Sequence, residues 1–232
     1  AQGVNIPTNS HLRVKTSTFR SPGDVNIDGT LTVTTGEVSL KGDWNDNGTF
    51  NAGTGTVDFV GVTGTQGIIM DDTFYHLAHS GTVPVHMTVT LNIDGDFTNL
   101  GGTLFVTNNF DMTVAGDWSN LNDDTFVAGM ATVVFDGTSQ TINGTTTFYN
   151  FEKEVSTADT LTFDANGEQT ITNGLTMQGT VGQLLTLQSD DPPNMWEITL
   201  QSGGVQTLSY LSVGNSDASG GLLLVAGTTS VE

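Results

Sequence analysis

The sequence contains no cysteine, so disulfides, thiolate metal sites and cysteine nucleophiles are excluded. Charged residues make up only 13% of the chain, with 5 lysines and arginines in all, which excludes coiled coils and charge-laced long helices. Proline fills just 5 of 232 positions. No run approaches the ~18 consecutive apolar residues that a membrane-spanning helix needs. What remains is 29 glycines beside 36% hydrophobic residues. That mixture is too apolar for a disordered tail and too glycine-rich for a helical bundle.

The acids are unevenly matched. Of the 25, 19 are aspartate, a turn former, and 6 are glutamate. Arg13, Lys15, Arg20 and Lys41 lie in the first 41 positions, so residues 1–41 sum to +1 and residues 42–232 to −21; Lys153 is the single later cation. Such a body repels nucleic acid and anionic membranes. A basic leading end on an acidic body also permits electrostatic head-to-tail association between copies. The chain opens Ala-Gln-Gly with no charged n-region and no apolar h-region, and we expect a mature secreted protein whose signal peptide has been removed.

Internal repetition is the strongest signal. Residues 42–59 read GDWNDNGTFNAGTGTVDF and residues 116–135 read GDWSNLNDDTFVAGMATVVF. Trp44 and Trp118 are 74 apart, Phe50 and Phe126 are 76 apart, and Phe59 and Phe135 are 76 apart. DTFYHL at 72–77 answers TTFYNF at 146–151, and NIDG occurs at 26–29 and 92–95. Within this repeat, glutamine followed two positions later by Ile or Leu recurs at Gln66, Gln140, Gln169 and Gln206. Short alternating runs such as GTLTVT (29–34), GTLFVT (102–107) and LLTLQS (184–189) are bounded by turn residues. No window sustains a 3.6-residue apolar period.

These features predict an all-β chain. A tandem of β-sandwiches is the alternative, but a module of ~70 residues is short for one. A parallel β-solenoid, at roughly 20–25 residues per coil, predicts about ten coils and a rod of ~50 Å. We divide the chain into an extended segment 1–22, able to serve as an intersubunit strand, and one solenoid domain 23–232. The domain holds two diverged modules (about 24–91 and 92–165) and a C-terminal module (166–232).

The modules resemble repeats of large secreted bacterial surface proteins that form right-handed parallel β-helices, with GDWxNxGTFxAGxGTVxFxG followed by QTIxGxTTFYNL. Gly42, Asp43, Trp44, Asn45, Gly48, Thr49, Phe50, Ala52, Gly53, Thr56, Val57, Phe59 and Gly61 carry the resemblance in the first module. Gly116, Asp117, Trp118, Asn120, Thr125, Phe126, Gly129, Val133, Phe135, Gly137, Gln140, Ile142, Phe148, Tyr149 and Asn150 carry it in the second. The run 195–221 resembles a further segment of such proteins. The resemblance implies a right-handed β-helix and an extracellular address, and no catalytic residue.

Candidate chemistry is sparse. Asp24, Asn26, Asp28 and Gly29 open like a calcium loop, but its twelfth position is Thr35 where a bidentate glutamate belongs; residues 43–48 likewise run to Thr54. We expect a polar strand and turn at both, with no cofactor, and leave calcium at stacked Asp corners open. His76, His79 and His86 cluster, yet residues three apart in a strand point to opposite faces, which argues against a metal site. Asp71-Asp72, Asp123-Asp124 and Asp190-Asp191 are the paired carboxylates a polysaccharide-degrading enzyme would need, with Lys153 as the lone cation nearby in sequence. Trp44, Trp118, Tyr75 and Tyr149 recur at module spacing, either as a sugar-stacking strip or as packing between coils; packing is the expectation. Threonines in LTVTTG (31–36) and TVTL (88–91) could face outward as an ice-binding ladder would, but not regularly, so ice binding is a minor alternative.

We therefore expect a non-enzymatic, extracellular structural protein: a filament subunit or adhesive scaffold. Its partners would be further copies, met through the chain ends, with surface glycans second. A carbohydrate-binding module, a fragment of a longer adhesin continuing past Glu232, and a polysaccharide-degrading enzyme are the alternatives.

Overall fold

The computed structural model describes residues 2–101, 104–121 and 125–227. Alternation sets the local structure. In Val25–Ile27 the two branched residues are fully buried and Asn26 between them faces out, and the same buried–outward–buried pattern recurs at Leu91–Ile93 and Met112–Val114. Because these runs are only two to five residues long through most of the chain, none buries enough surface alone, and each stacks on the equivalent run of the next coil.

The result is a parallel β-solenoid of about ten coils, all-β, with no helix among the described residues. Each early coil supplies one strand to each of three faces. Face A begins with Val4–Ile6, Val25–Ile27 and Trp44–Asp46, face B with His11–Val14, Thr30–Val33 and Thr49–Asn51, and face C with Thr18–Ser21, Glu37–Leu40 and Thr56–Phe59. Face C is continuous, a 10-stranded parallel sheet ending at Leu211–Val213. Ten layers at ~4.8 Å give a stack roughly 45–50 Å long. Register offsets range from 18 residues (Thr132↔Asn150) to 31 (Gly174↔Val205). From Thr146 onward faces A and B fuse, so that Thr146–Glu154 and Glu168–Gln178 run round the corner as single strands with a register shift between Phe148 and Asn150.

Residues 4–21, set apart above as an extended segment, form the first coil: their three strands pair with Val25–Ile27, Thr30–Val33 and Glu37–Leu40 of the second. One hydrophobic cluster runs uninterrupted from Ile6 to Leu211.

The sequence module and the structural coil do not coincide. Trp44–Asp46 is the seventh strand and lies on face A; Trp118–Asn120 is the eighteenth, eleven strands on, and lies on face C. Thr56–Phe59 on face C likewise answers Thr132–Phe135 on face B. Eleven strands make three and two-thirds coils, so the repeated side chains walk round the axis by one face per module. Gly53 and Gly129, 76 positions apart, take the same left-handed conformation (φ 56° and 59°) after the strand that carries Phe50 or Phe126. A Cβ at Gly53 would lie 2.2 Å from the Val33 carbonyl oxygen, which explains why the AG pair recurs.

Candidate functional site

The abundant corner aspartates bind their own backbone. Asp24 Oδ1 accepts the Asp43 N–H (2.9 Å), Asp43 Oδ1 accepts that of Gly67 (2.7 Å), Asp96 Oδ1 that of Asp117 (2.9 Å) and Asp117 Oδ1 that of Thr141 (2.7 Å). Each carboxylate thus satisfies a donor one coil further on, at a corner where the ladder is interrupted. Asn26 stands on a strand and receives Asn45 Nδ2 (3.0 Å), while Asp46 Oδ1 accepts the Gly48 N–H (2.7 Å). The calcium-like runs are therefore strands and turns. Among the described residues no three His, Asp or Glu side chains converge to hold a metal ion.

Three of the four recurring glutamines, Gln66, Gln140 and Gln169, work from inside. Gln66 Nε2 donates to the Leu40 and Gly42 carbonyls (3.1 and 2.8 Å), and Gln140 Nε2 donates to those of Val114 and Gly116 (2.9 and 2.6 Å) at the corresponding place in the second module. Gln66 Oε1 accepts the Gly61 N–H (2.8 Å). Gln66→Leu removes all three bonds in a buried setting and is expected to cost about 1–3 kcal/mol, read as a lower urea midpoint at unchanged slope. An unmoved midpoint would show that the clamp is dispensable.

The histidines separate as strand geometry requires. His76 faces outward and its Nδ1 accepts the Asp96 N–H (2.9 Å). His79 is fully buried, with Nδ1 against Asn99 Oδ1 and Nε2 against the Val83 carbonyl (both 2.9 Å). The ladder continues from Asn99 Nδ2 to Asn120 Oδ1 (2.8 Å) and from Asn120 Nδ2 to the Thr145 carbonyl (2.8 Å). His86 lies on face A.

Of the paired carboxylates, Asp123-Asp124 lies outside the described residues. Asp190 Oδ1 accepts the Ala165 N–H and Asp191 Oδ2 accepts Asn194 Nδ2 (both 2.8 Å). Lys153 is unavailable to any substrate. Its side chain is fully buried, donating to the Gly137 carbonyl and Gln140 Oε1 (2.8 Å) and pairing with Asp159 Oδ2 at 3.0 Å. Burial pushes the Asp159 carboxyl up, but the Ser139 N–H, Lys153 and the Thr160 N–H together outweigh it and hold it below the usual carboxylate range.

Trp44 and Trp118 are wholly buried, so they pack between coils and offer no stacking platform to a sugar. Each heads an aromatic triad. Trp44 meets Phe50 at 4.8 Å and Phe74 at 5.5 Å; Trp118 meets Phe126 at 4.9 Å and Phe148 at 5.3 Å. Each triad also spans a gap in the ladders. Thr49–Asn51 ends the three-stranded part of face B, and Phe126–Val127 ends face A. Across each gap the indole N–H reaches the next coil, to Asp72 Oδ2 (2.6 Å) in the first module and Thr146 Oγ1 (3.0 Å) in the second.

The two gaps differ chemically. Buried Asp46 stands two residues after Trp44, and its counterpart after Trp118 is the amide Asn120. Burial raises the Asp72 carboxyl to about 7; the Trp44 N–H opposes the rise, and Asp46 and Asp71 add to it. The acidic bridge Trp44–Asp72–Asp46 is the chemically distinctive site of the molecule. Position-by-position alignment of the modules exposes it, as Asp72 for Thr146 and Asp46 for Asn120, but contact between the two carboxylates requires the coil stack.

Comparison of the chain with protein-family models, with curated proteins and with solved structures returns no match.

Proposed function

We propose that this chain is a non-enzymatic structural protein of the cell exterior, a β-solenoid that stacks end to end on copies of itself. The observation that carries the reading is the charge polarity along the axis. The first coil holds Arg13, Lys15 and Arg20, all exposed, and no acid precedes Asp24. From Glu154 to Gly227 there are 8 acids and no lysine or arginine. Among the described residues the first coil's strands pair on one side only, leaving a row of backbone donors and acceptors beside partly buried Val4, Leu12 and Phe19. At the other end, Leu222 and Leu224 pack against the core while Leu223 and Val225 are exposed, over a cleft of about 920 Å³ lined by Trp196, Ile198 and Leu208. A cationic strand edge of one copy complements this acidic, apolar end of the next. The likeness of the modules to secreted surface repeats supports the extracellular address.

Electrostatic stacking is salt-sensitive, since surface charges are screened over ~10 Å at 0.1 M salt. Negative-stain microscopy and light scattering at 20 mM salt should show end-to-end rods that shorten at 1 M salt. The triple variant Arg13→Glu, Lys15→Glu, Arg20→Glu keeps the first coil but reverses its charge, and should remain monomeric. Single rods of the wild type at every ionic strength would overturn self-stacking and leave a scaffold segment of a longer adhesin.

A further inference from the structure

We propose that the gap beneath Trp44 is a proton-sensitive joint in the solenoid, closed while Asp72 holds its proton against Asp46 and loosened when Asp72 ionises, whereas the gap beneath Trp118 stays closed at every pH. Three observations place the joint. First, the hydrogen-bonded ladder of face B is interrupted between Thr49–Asn51 and Thr73–Phe74, each of which pairs only away from the gap among the described strands. Second, face A is thin at the same level, where Gln66–Ile68 meets Trp44–Asp46 through the single register pair Ile68↔Trp44. Two of three faces are thus weakly sewn at one junction. Third, what crosses face B there is side chain: the Trp44–Phe50–Phe74 triad and the bond from Trp44 Nε1 to Asp72 Oδ2.

The charged groups acting on Asp72 are Asp46, from the Trp44 strand, and Asp71, from its own corner. Thr49–Asn51, Gln66–Ile68, Thr73–Phe74 and Leu91–Ile93 carry no titratable side chain, and Val85–Met87 contributes only His86. No lysine or arginine occurs between Lys41 and Lys153. A second negative charge here has no nearby cation in sequence, and Asp46 is too buried for water to screen it. In the second module Trp118 donates to the Thr146 hydroxyl and Asn120 donates to the Thr145 carbonyl, so the corresponding positions hold neutral groups, an internal control within one chain.

The sign follows from linkage. Asp72 holds its proton in the folded state well above the ordinary carboxylate range. Its contribution is therefore complete below pH ~4 and is lost as pH rises through about 7. The joint belongs to the single coil stack and does not depend on assembly.

Hydrogen exchange of the whole protein, corrected for the intrinsic rate, is compared at pH 5 and pH 8.5. Protection of residues 49–51 and 73–74 should fall at least about tenfold at the higher pH, one pKa unit being worth a factor of ten. Residues 126–127 and 146–148 should change less than about twofold. Asp72→Thr should abolish the difference, and the near-isosteric Asp46→Asn should make it smaller and move it to lower pH. If Asp72→Thr does not fold, Asp46→Asn alone decides. Equal protection at both pH values, or an equal fall in both gaps, would refute the joint.

Discussion

Trp118→Ala should lower stability by about 3–5 kcal/mol, the range for truncating a large buried aromatic. The indole is fully buried and touches Phe97 (4.4 Å between ring centres), Phe126 (4.9 Å), Phe148 (5.3 Å) and Phe135 (5.9 Å), rings drawn from all three faces. Neighbouring coils are stacked around it and cannot collapse into the void without breaking their own ladders, so the upper part of the range applies. The Thr146 hydroxyl also loses the indole donor that bridges the ladder gap. Trp118→Phe keeps much of the area and should cost less. Equilibrium denaturation is the measurement, and a loss below about 1 kcal/mol for the alanine variant would mean the triad is not what holds the gap. Loss of glycan binding in a tryptophan variant would accordingly report damage to the core rather than removal of a sugar contact.

Lys153→Ala should be of similar size, about 3–5 kcal/mol, for an electrostatic reason. The alanine leaves Asp159 with a carboxylate whose side chain is only 4% exposed and whose ion-pair partner is gone, and strips the donor from Gln140 Oε1. Lys153→Met keeps the apolar stem and should fail nearly as badly, while adding Asp159→Asn to it should recover most of the loss. The pH dependence tests the mechanism. Asp159 is held below the ordinary carboxylate range, so its contribution is present above pH ~4 and is lost as pH falls through its folded value. Melts of the wild type and Lys153→Ala should therefore differ most near pH 7 and converge toward pH 3. A gap that stays constant down to pH 3 would point to lost packing instead of the ion pair.

Much of the architecture is legible in the residues. Alternation in runs such as Val25–Ile27 and Leu91–Ile93 predicts short strands, and glycine and aspartate mark the corners. The 20–25-residue coil predicts ten layers, which face C supplies. Local patterning decides these matters, since a strand's inward side depends only on which of its own residues are apolar. The repetition of Trp44 and Trp118 fits both packing and a sugar-stacking strip, and only their burial in the coil stack decides for packing. The first coil was less readable. Leu12 and Val14 alternate with His11, Arg13 and Lys15 as a strand does, but only pairing with Thr30–Val33 makes 11–14 a strand of this stack instead of one donated to a neighbour.

Other features belong to the tertiary structure alone. Nothing in a spacing of 74 says that the module spans eleven strands and returns one face round the axis. That depends on how many residues each corner absorbs, and corners are irregular. Among the carboxylates weighed for calcium or catalysis, Asp24 and Asp190 prove to be backbone acceptors because stacking brings the N–H of Asp43 and of Ala165 under them from a neighbouring coil, while Asp72 and Asp191 accept side-chain N–H groups. Asp46 and Asp72 stand 26 positions apart and meet only because a coil closes between them. Composition and periodicity determine that this chain stacks; the non-local register of parallel strands determines which groups are forced together, and hence where it holds a proton.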